Sequence, residues 1–221
     1  LRLLDERKKI VQHCQLLLKS GLTKGTGGNI SIYVPSENCV VISPSGVPYD
    51  SMEPEDVVLI DLDGNKIEGN YKPSSEWAMH TAVYKQKPEM QAVVHTHSVF
   101  AKTLSCLRED LPAVSYLVAV AGKKVSCAQY ASFGTQELAD NALTAMGDSK
   151  AVLLANHGLL AAGETIEEAF NIAEEIELCA EVYIRARGIG KPVILDDDEM
   201  EYMLERFKTY GARHTNNSHT I

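Results

Sequence analysis

Three histidines stand where a metal ion could use them. His95 and His97 close the apolar run Met90-Gln91-Ala92-Val93-Val94, and His157 follows a second run, Ala151-Val152-Leu153-Leu154-Ala155. Positions i and i+2 of a strand face the same side, so a strand ending at 97 presents both imidazoles to one ion while Thr96 faces away. A catalytic zinc site typically takes three protein ligands and keeps a position open, which makes His157 the natural third ligand. The spacing predicts a divalent metal, zinc by preference. Taken alone, these residues also fit imidazoles bonded to carbonyls at strand ends. If a metal is bound, hydrolysis and lyase chemistry are equally open, although Ser98-Val99-Phe100 stands where hydrolases with His-x-His carry an aspartate and another histidine.

Glu76, just after two serines and close to a helix start, suits a carboxylate ligand or a general base tuned by the metal. It equally suits an acid answering the helix dipole. His80 lies one turn further on the same helical face and reads as structural or as support for the site from behind. His13 falls on the first helix, and His214 and His219 fall in the tail. Three segments of small and hydroxyl residues, Thr26-Gly27-Gly28-Asn29, Ser43-Pro44-Ser45-Gly46 and Ser74-Ser75, leave backbone N–H groups uncovered. Together they could cradle a phosphate, though each alone is an ordinary turn. Neither a P-loop nor a dinucleotide fingerprint is present, which excludes an NTP or NAD reading.

Regular elements must carry these residues. Val11, Cys14 and Leu18 recur at helical spacing from Leu4, with Gly21 as the stop. Residues 30–34 and 39–42 alternate like a strand and its hairpin neighbour, 57–62 is a third strand, and Asp63-Gly64 turns the chain into a return at 66–67, so the first third forms an antiparallel meander. A serine of Pro73-Ser74-Ser75-Glu76 caps the next helix, which Pro88 ends. The strands at 90–94 and 151–155 deliver the histidines. Thr165 and Glu168 form a capping box before a long helix that stops near Gly188 and Gly190, and Asp196 to Asp198 open a last helix through Phe207. The acidic triplet lacks calcium-loop spacing and is expected to serve the helix N-terminus.

A chain of 221 residues with 30 acidic and 21 basic side chains carries a formal charge of −9, which argues against nucleic acid or an anionic membrane as partner. No stretch approaches the roughly 18 apolar residues of a membrane span. The five scattered cysteines form no Cys-x-x-Cys pair, so buried or inert thiols are expected. The first residues mix acids and bases without an apolar core, and a cytoplasmic location is the expectation. One domain over 1–211 is expected, with a mobile polar tail over 212–221.

In order, Gly25-Thr26-Gly27-Gly28-Asn29-Ile30-Ser31, Ile42-Ser43-Pro44-Ser45-Gly46, Pro73-Ser74-Ser75-Glu76, Val94-His95-Thr96-His97 and Asn156-His157-Gly158 resemble the class II aldolase/epimerase family of sugar-phosphate enzymes. The likeness covers nearly the whole chain. Pro112-Ala113-Val114-Ser115-Tyr116, Tyr130-Ala131-Ser132-Phe133-Gly134-Thr135 and Phe207-Lys208-Thr209-Tyr210-Gly211 are similar to its aldolase branch. The resemblance implies a single α/β domain with a central, largely antiparallel sheet flanked by helices, assembled as a homotetramer with active sites between subunits. It implies one zinc per chain on His95, His97 and His157, with Glu76 a ligand in the empty enzyme and an acid/base with substrate. It places phosphate at Thr26, Gly28, Asn29, Ser45, Gly46, Ser74 and Ser75. Tyr116, from a neighbouring subunit, and Tyr210 are the remaining catalytic residues it implies. The implied reaction is reversible cleavage of L-fuculose 1-phosphate, or a related ketose 1-phosphate, to dihydroxyacetone phosphate and an aldehyde, L-lactaldehyde for fuculose. A 4-epimerase of ribulose 5-phosphate fits less well, because it carries aspartate at the place of Glu76 and another in the stretch where 116–121 here has no acid. An adducin-like interaction domain fits least, because its metal histidines are lost.

Overall fold

The β-branched runs pair as antiparallel neighbours. β1 (Asn29–Val34) pairs with β2 (Cys39–Ile42), which pairs with β3 (Val58–Ile60), and β4 (Lys66–Glu68) closes that side, giving the expected meander. The structure is a computed structural model and describes residues 1–209, so Tyr210 and the expected tail over 212–221 lie outside the described residues. On its other side β1 pairs with β5 (Ala92–Thr96), with Asn29 opposite His95. Beyond β5 come β8 (Gly158–Gly163), β7 (Ala151–Leu154) and β6 (Cys127–Ala128), in the order β4-β3-β2-β1-β5-β8-β7-β6, with only β6 and β7 parallel. This is the expected α/β architecture.

Helices cover both faces, and strand alternation divides the core. Val93 joins Val40, Ile42 and Leu160 under α2 (Trp77–Gln86) and α4 (Gln136–Met146). Val94 joins Val41 and Leu159 under α1 (Leu4–Lys19), α3 (Val99–Leu107), α5 (Ile166–Ile189) and α6 (Asp197–Phe207). Each fully buried aliphatic side chain contributes about 1.5–3 kcal/mol. A one-residue slip of β5 would turn all of them to the wrong side, so the packing of Val93 and Val94 also fixes the direction of His95.

The sequence expectations need two corrections here. The chain does not leave the sheet after His157: it reverses at Asn156, whose φ is 56°, and returns as β8. The run Gly158-Leu159-Leu160-Ala161-Ala162-Gly163 is buried on both faces and carries no polar alternation to mark it. Secondly, no serine caps α2. Glu76 itself occupies the N-cap position without a side-chain cap bond, and the Ser74 hydroxyl accepts from the Glu76 N–H at 3.3 Å. The Glu76 carboxylate is thereby left to turn away from its own helix.

Other helix starts follow the expected chemistry. The Thr165 hydroxyl accepts from the Glu168 N–H and Glu168 accepts from the Glu164 N–H, while the Asp196 carboxylate accepts from the Glu199 N–H. The start of α3 is held from afar, because Glu177 on α5 accepts from the N–H groups of Phe100 and Ala101 at 2.8 Å each. All five thiols are free, with Cys14, Cys39 and Cys179 buried and Cys106 exposed. No described helix is long and apolar enough to cross a membrane.

Candidate metal centre

Residues 93 and 95 share the face of β5 that packs against α2, so β5 carries His95 towards Glu76. The strand ends at Thr96, one residue short of the expected end, and His97 follows with its N–H on the Leu22 carbonyl. The His95 ring is buried and donates from Nδ1 to the Leu159 carbonyl of β8 at 2.9 Å. That bond sets its tautomer and leaves the Nε2 lone pair pointing inward. His95 Nε2 lies 3.0 Å from His97 Nε2 and 3.2 Å from Glu76 Oε2. His157, held in the β7–β8 reversal, places Nε2 3.3 Å from Glu76 Oε1. One atom from each of these four residues lies within 4.8 Å of all the others.

Burial pushes His97 down to about 3 and His157 to about 4, and the neighbouring His95 ring lowers both further. Both rings are therefore neutral at physiological pH, the form that ligates metals. Burial alone would raise the Glu76 carboxyl. The His95 and His157 rings turned toward it and the amide N–H that Asn29 donates outweigh burial, so the group lies far below the usual carboxylate range and is ionised.

The donor set fits a divalent ion. Glu76 Oε1 is buried and has no hydrogen-bond partner, a costly condition for an ionised oxygen that a cation would relieve. Three imidazoles and a carboxylate are donors that zinc accepts. One donor atom from each of the four lies within 4.8 Å of the rest, close enough for all to turn to a single ion.

Above the cluster opens a cavity of about 350 Å³. Thr26, Gly28, Asn29, Ser45, Gly46, Ser74 and Ser75 all line it, together with Glu76, His97 and His157. Three separate loops are brought to one place. The Tyr49 hydroxyl donates to the Gly28 carbonyl at 2.7 Å and fixes the first loop. Ser45 N–H donates to the Lys72 carbonyl and Ser74 N–H to the Ser43 carbonyl, which ties the other two loops together. Gly28 is required as glycine: its φ is 72°, and a Cβ there would lie 2.6 Å from the His95 carbonyl oxygen.

Tyr130, Phe133 and Asn156 also line it, without having been assigned a role from sequence. Their signal was available, because Phe133 is 70% exposed within a Gly/Ser/Thr segment, an unusual place for a large aromatic ring. Tyr116 is not among the lining residues. It lines a separate cavity of about 380 Å³ with Leu117, Met203 and Arg206, and stacks on Phe207 at 6.4 Å. Tyr210 lies outside the described residues. His80 is fully buried behind the centre, 2.5 Å from Asn29 Oδ1 and 2.6 Å from Ser31 Oγ, and burial lowers it to about 3. It is not one of the four clustered donors.

Residues 8–184 match the family described as Class II Aldolase and Adducin N-terminal domain. The 5-deoxy-D-ribulose 1-phosphate aldolase of Bacillus thuringiensis serovar kurstaki is 52% identical over 94% of this chain and 98% of its own. The L-fuculose phosphate aldolase of Escherichia coli K12 is 39% identical over 93% of this chain and 95% of its own. A solved L-fuculose 1-phosphate aldolase superposes with a TM-score of 0.91 at 46% identity, covering 92% of this chain and 96% of that one.

Proposed function

The chain belongs to the class II aldolase family and is an aldolase with a Glu/His metal-binding site, and from that premise we propose that it cleaves 5-deoxyribulose 1-phosphate reversibly to dihydroxyacetone phosphate and acetaldehyde. One observation carries this reading: an ionised acid and neutral imidazoles lie in the floor of a cavity walled by the three hydroxyl- and glycine-rich loops. The choice of sugar follows the 52% identity to an aldolase of that name. Cleavage of L-fuculose 1-phosphate, the expectation from sequence, is the second reading and is favoured by the 39% relative and the solved neighbour.

His95, His97, His157 and Glu76 would hold a divalent metal, zinc by its donors, which when bound would supply a Lewis acid for the negative charge that develops on the dihydroxyacetone half as C3–C4 breaks. Thr26, Asn29, Ser45, Ser74 and Ser75 hold the phosphate, and Gly28 and Gly46 let backbone N–H groups approach it. Among the described residues the cavity lining holds neutral hydroxyl, amide and backbone donors suited to an anion. Glu76 acts as a ligand in the empty enzyme and as acid/base with substrate: in the cleavage direction the ionised carboxylate first takes up a proton, balancing the one lost from the C4 hydroxyl, and then delivers it to C3. Tyr116 takes or relays the C4-hydroxyl proton. Its cavity is separate from the metal centre, so in this reading it serves a site across an interface, as a homotetramer would allow. Tyr210, outside the described residues, is the remaining catalytic residue of the proposal. A phosphorylated metabolite as substrate suits the cytoplasm.

The test is a coupled assay for dihydroxyacetone phosphate release across ketose 1-phosphates, with ribulose 5-phosphate epimerisation measured alongside, before and after chelation. Release should be fastest from 5-deoxyribulose 1-phosphate and should vanish on chelation. A higher kcat/KM for L-fuculose 1-phosphate would favour the second reading; a contrast of one methyl or hydroxyl group is worth about 1–3 kcal/mol. Epimerisation without release, or full activity without metal, would refute the aldolase mechanism.

A further inference from the structure

We infer that His80 is a positioning residue: acting through Asn29, it determines which oxygen of Glu76 is free to move the proton. The inference rests on the reading of Glu76 as acid/base. Its basis is a row of buried polar groups between β1 and α2. Asn29, Ser31 and Tyr33 share one face of β1, and Glu76, His80 and Tyr84 recur every fourth residue at the head and along one face of α2. Two strand residues rise about 6.7 Å and four helix residues about 6 Å, so the two series stay in step along their length. Contacts follow in sequence, from Asn29 with Glu76 and His80, through Ser31 with His80 and Tyr84, to Tyr33 stacked on Tyr84 at 5.4 Å.

The hydrogen bonds in this row can run in one direction only. Ionised Glu76 accepts only, so Asn29 must offer its amide nitrogen, which lies 3.0 Å from Oε2. The amide oxygen of Asn29 then faces His80 Nε2 at 2.5 Å, and an amide oxygen cannot donate, so Nε2 carries the ring proton. Nδ1 must therefore accept, and Ser31 Oγ at 2.6 Å is the donor. With the Ser31 proton committed to His80, the Tyr84 hydroxyl, 2.6 Å from Ser31 Oγ and 3.0 Å from the Ser31 carbonyl, is the donor that ends the row.

His80 and Ser31 are fully buried, and Tyr84, Asn29 and Glu76 nearly so. Turning the Asn29 amide over would set oxygen against carboxylate and N–H against N–H, with little water to compensate. The row thus holds Oε2 and leaves Oε1, the oxygen without a partner, as the mobile proton carrier.

The experiment compares His80→Phe and His80→Gln in the metal-loaded full chain, alone and with Asn29→Ala. It reads C3-proton exchange on dihydroxyacetone phosphate, zinc content and thermal unfolding. His80→Phe should lower kcat for exchange about tenfold or more while KM stays within about twofold and zinc stays bound. His80→Gln, which offers an N–H to Asn29 and a carbonyl to Ser31, should restore most of the rate. With Asn29→Ala already present, His80→Phe should cost nothing further, because coupled residues are not additive. Unchanged kcat in His80→Phe, or losses that add to Asn29→Ala, would overturn the inference. If His80→Phe fails to fold, nitrogen NMR of histidine-labelled wild type decides: a ring protonated at Nδ1 overturns it, and one protonated at Nε2 supports it. Glu76→Gln separates the two readings, since undiminished exchange there removes the acid/base role without touching the His80 tautomer.

Discussion

Replacing Gly28 by alanine should damage the metal centre through a backbone contact, and Gly21 supplies the control. The two glycines have nearly the same φ, 72° and 71°, so both alanine variants carry the same backbone strain of about 1–2 kcal/mol. A Cβ at 21 would meet nothing within 4 Å, whereas one at 28 would lie 2.6 Å from the carbonyl oxygen of His95. That contact is shorter than van der Waals packing allows, so β1 and β5 must separate where Asn29 faces His95. Overpacking of this kind costs a further 1–3 kcal/mol or so. At about 2–4 °C per kcal/mol for a chain of this size, Gly21→Ala should lower Tm by roughly 2–8 °C and Gly28→Ala by roughly 4–20 °C. Bound metal stabilises the folded state, so the Tm drop on adding a chelator measures the occupied site. That drop should be unchanged in Gly21→Ala and clearly smaller in Gly28→Ala. Equal Tm losses with equal chelator responses would refute the idea that the Gly28–His95 approach supports the centre.

Two further outcomes are expected. His80, His97 and His157 lie at about 3, 3 and 4 in the folded chain, against about 6.5 unfolded. Below 6.5 the unfolded chain therefore takes up protons that the folded chain refuses, so metal-free stability should be level above that pH and fall from there towards pH 4. A Tm that stays constant from pH 7 to 5 in chelator would contradict the neutral, buried state of these rings. Tyr116→Phe should slow C–C cleavage more than C3-proton exchange, and mixing it with Glu76→Gln in reassociated oligomers should recover part of the cleavage activity. Equal losses in both reactions, or no recovery on mixing, would argue against a tyrosine supplied across an interface.

Much of the centre was legible because its residues sit on elements with strong local signals. The β-branched runs before His95 and His157 announced buried strands, and i,i+2 alternation was enough to place His95 and His97 on one face. The three loops that line the cavity were visible as glycine and hydroxyl clusters, but their convergence depends on long-range bonds, such as Ser74 to Ser43 and Ser45 to Lys72, that no local pattern encodes. β8 escaped notice because Gly158-Leu159-Leu160-Ala161-Ala162-Gly163 is apolar throughout without a single β-branched residue, and α3 because it takes its N-terminal cap from Glu177, more than seventy positions away, whereas α4, capped by Thr135, had a local signal that was not used. The Ser74 and Ser75 capping prediction failed because helix propensity says nothing of imidazoles on another strand that draw Glu76 into the N-cap place. Glu76 and His80 were seen to share a helical face, yet the matched series on β1 became apparent only when the strand was laid beside the helix.

The origin of the four donors divides the centre into two parts with different mutational freedom. His95 lies on β5, His97 directly follows it and His157 sits in the β7–β8 reversal, so all three hang from neighbouring strands of one sheet. Glu76 reaches the group from the head of a helix laid across that sheet. A change at position 76 alters one donor and the buried row behind it, whereas a change in these strands disturbs several histidines together. For an engineer, or for a lineage acquiring a new reaction, residue 76 is the exchangeable part and the histidine tripod the fixed chassis.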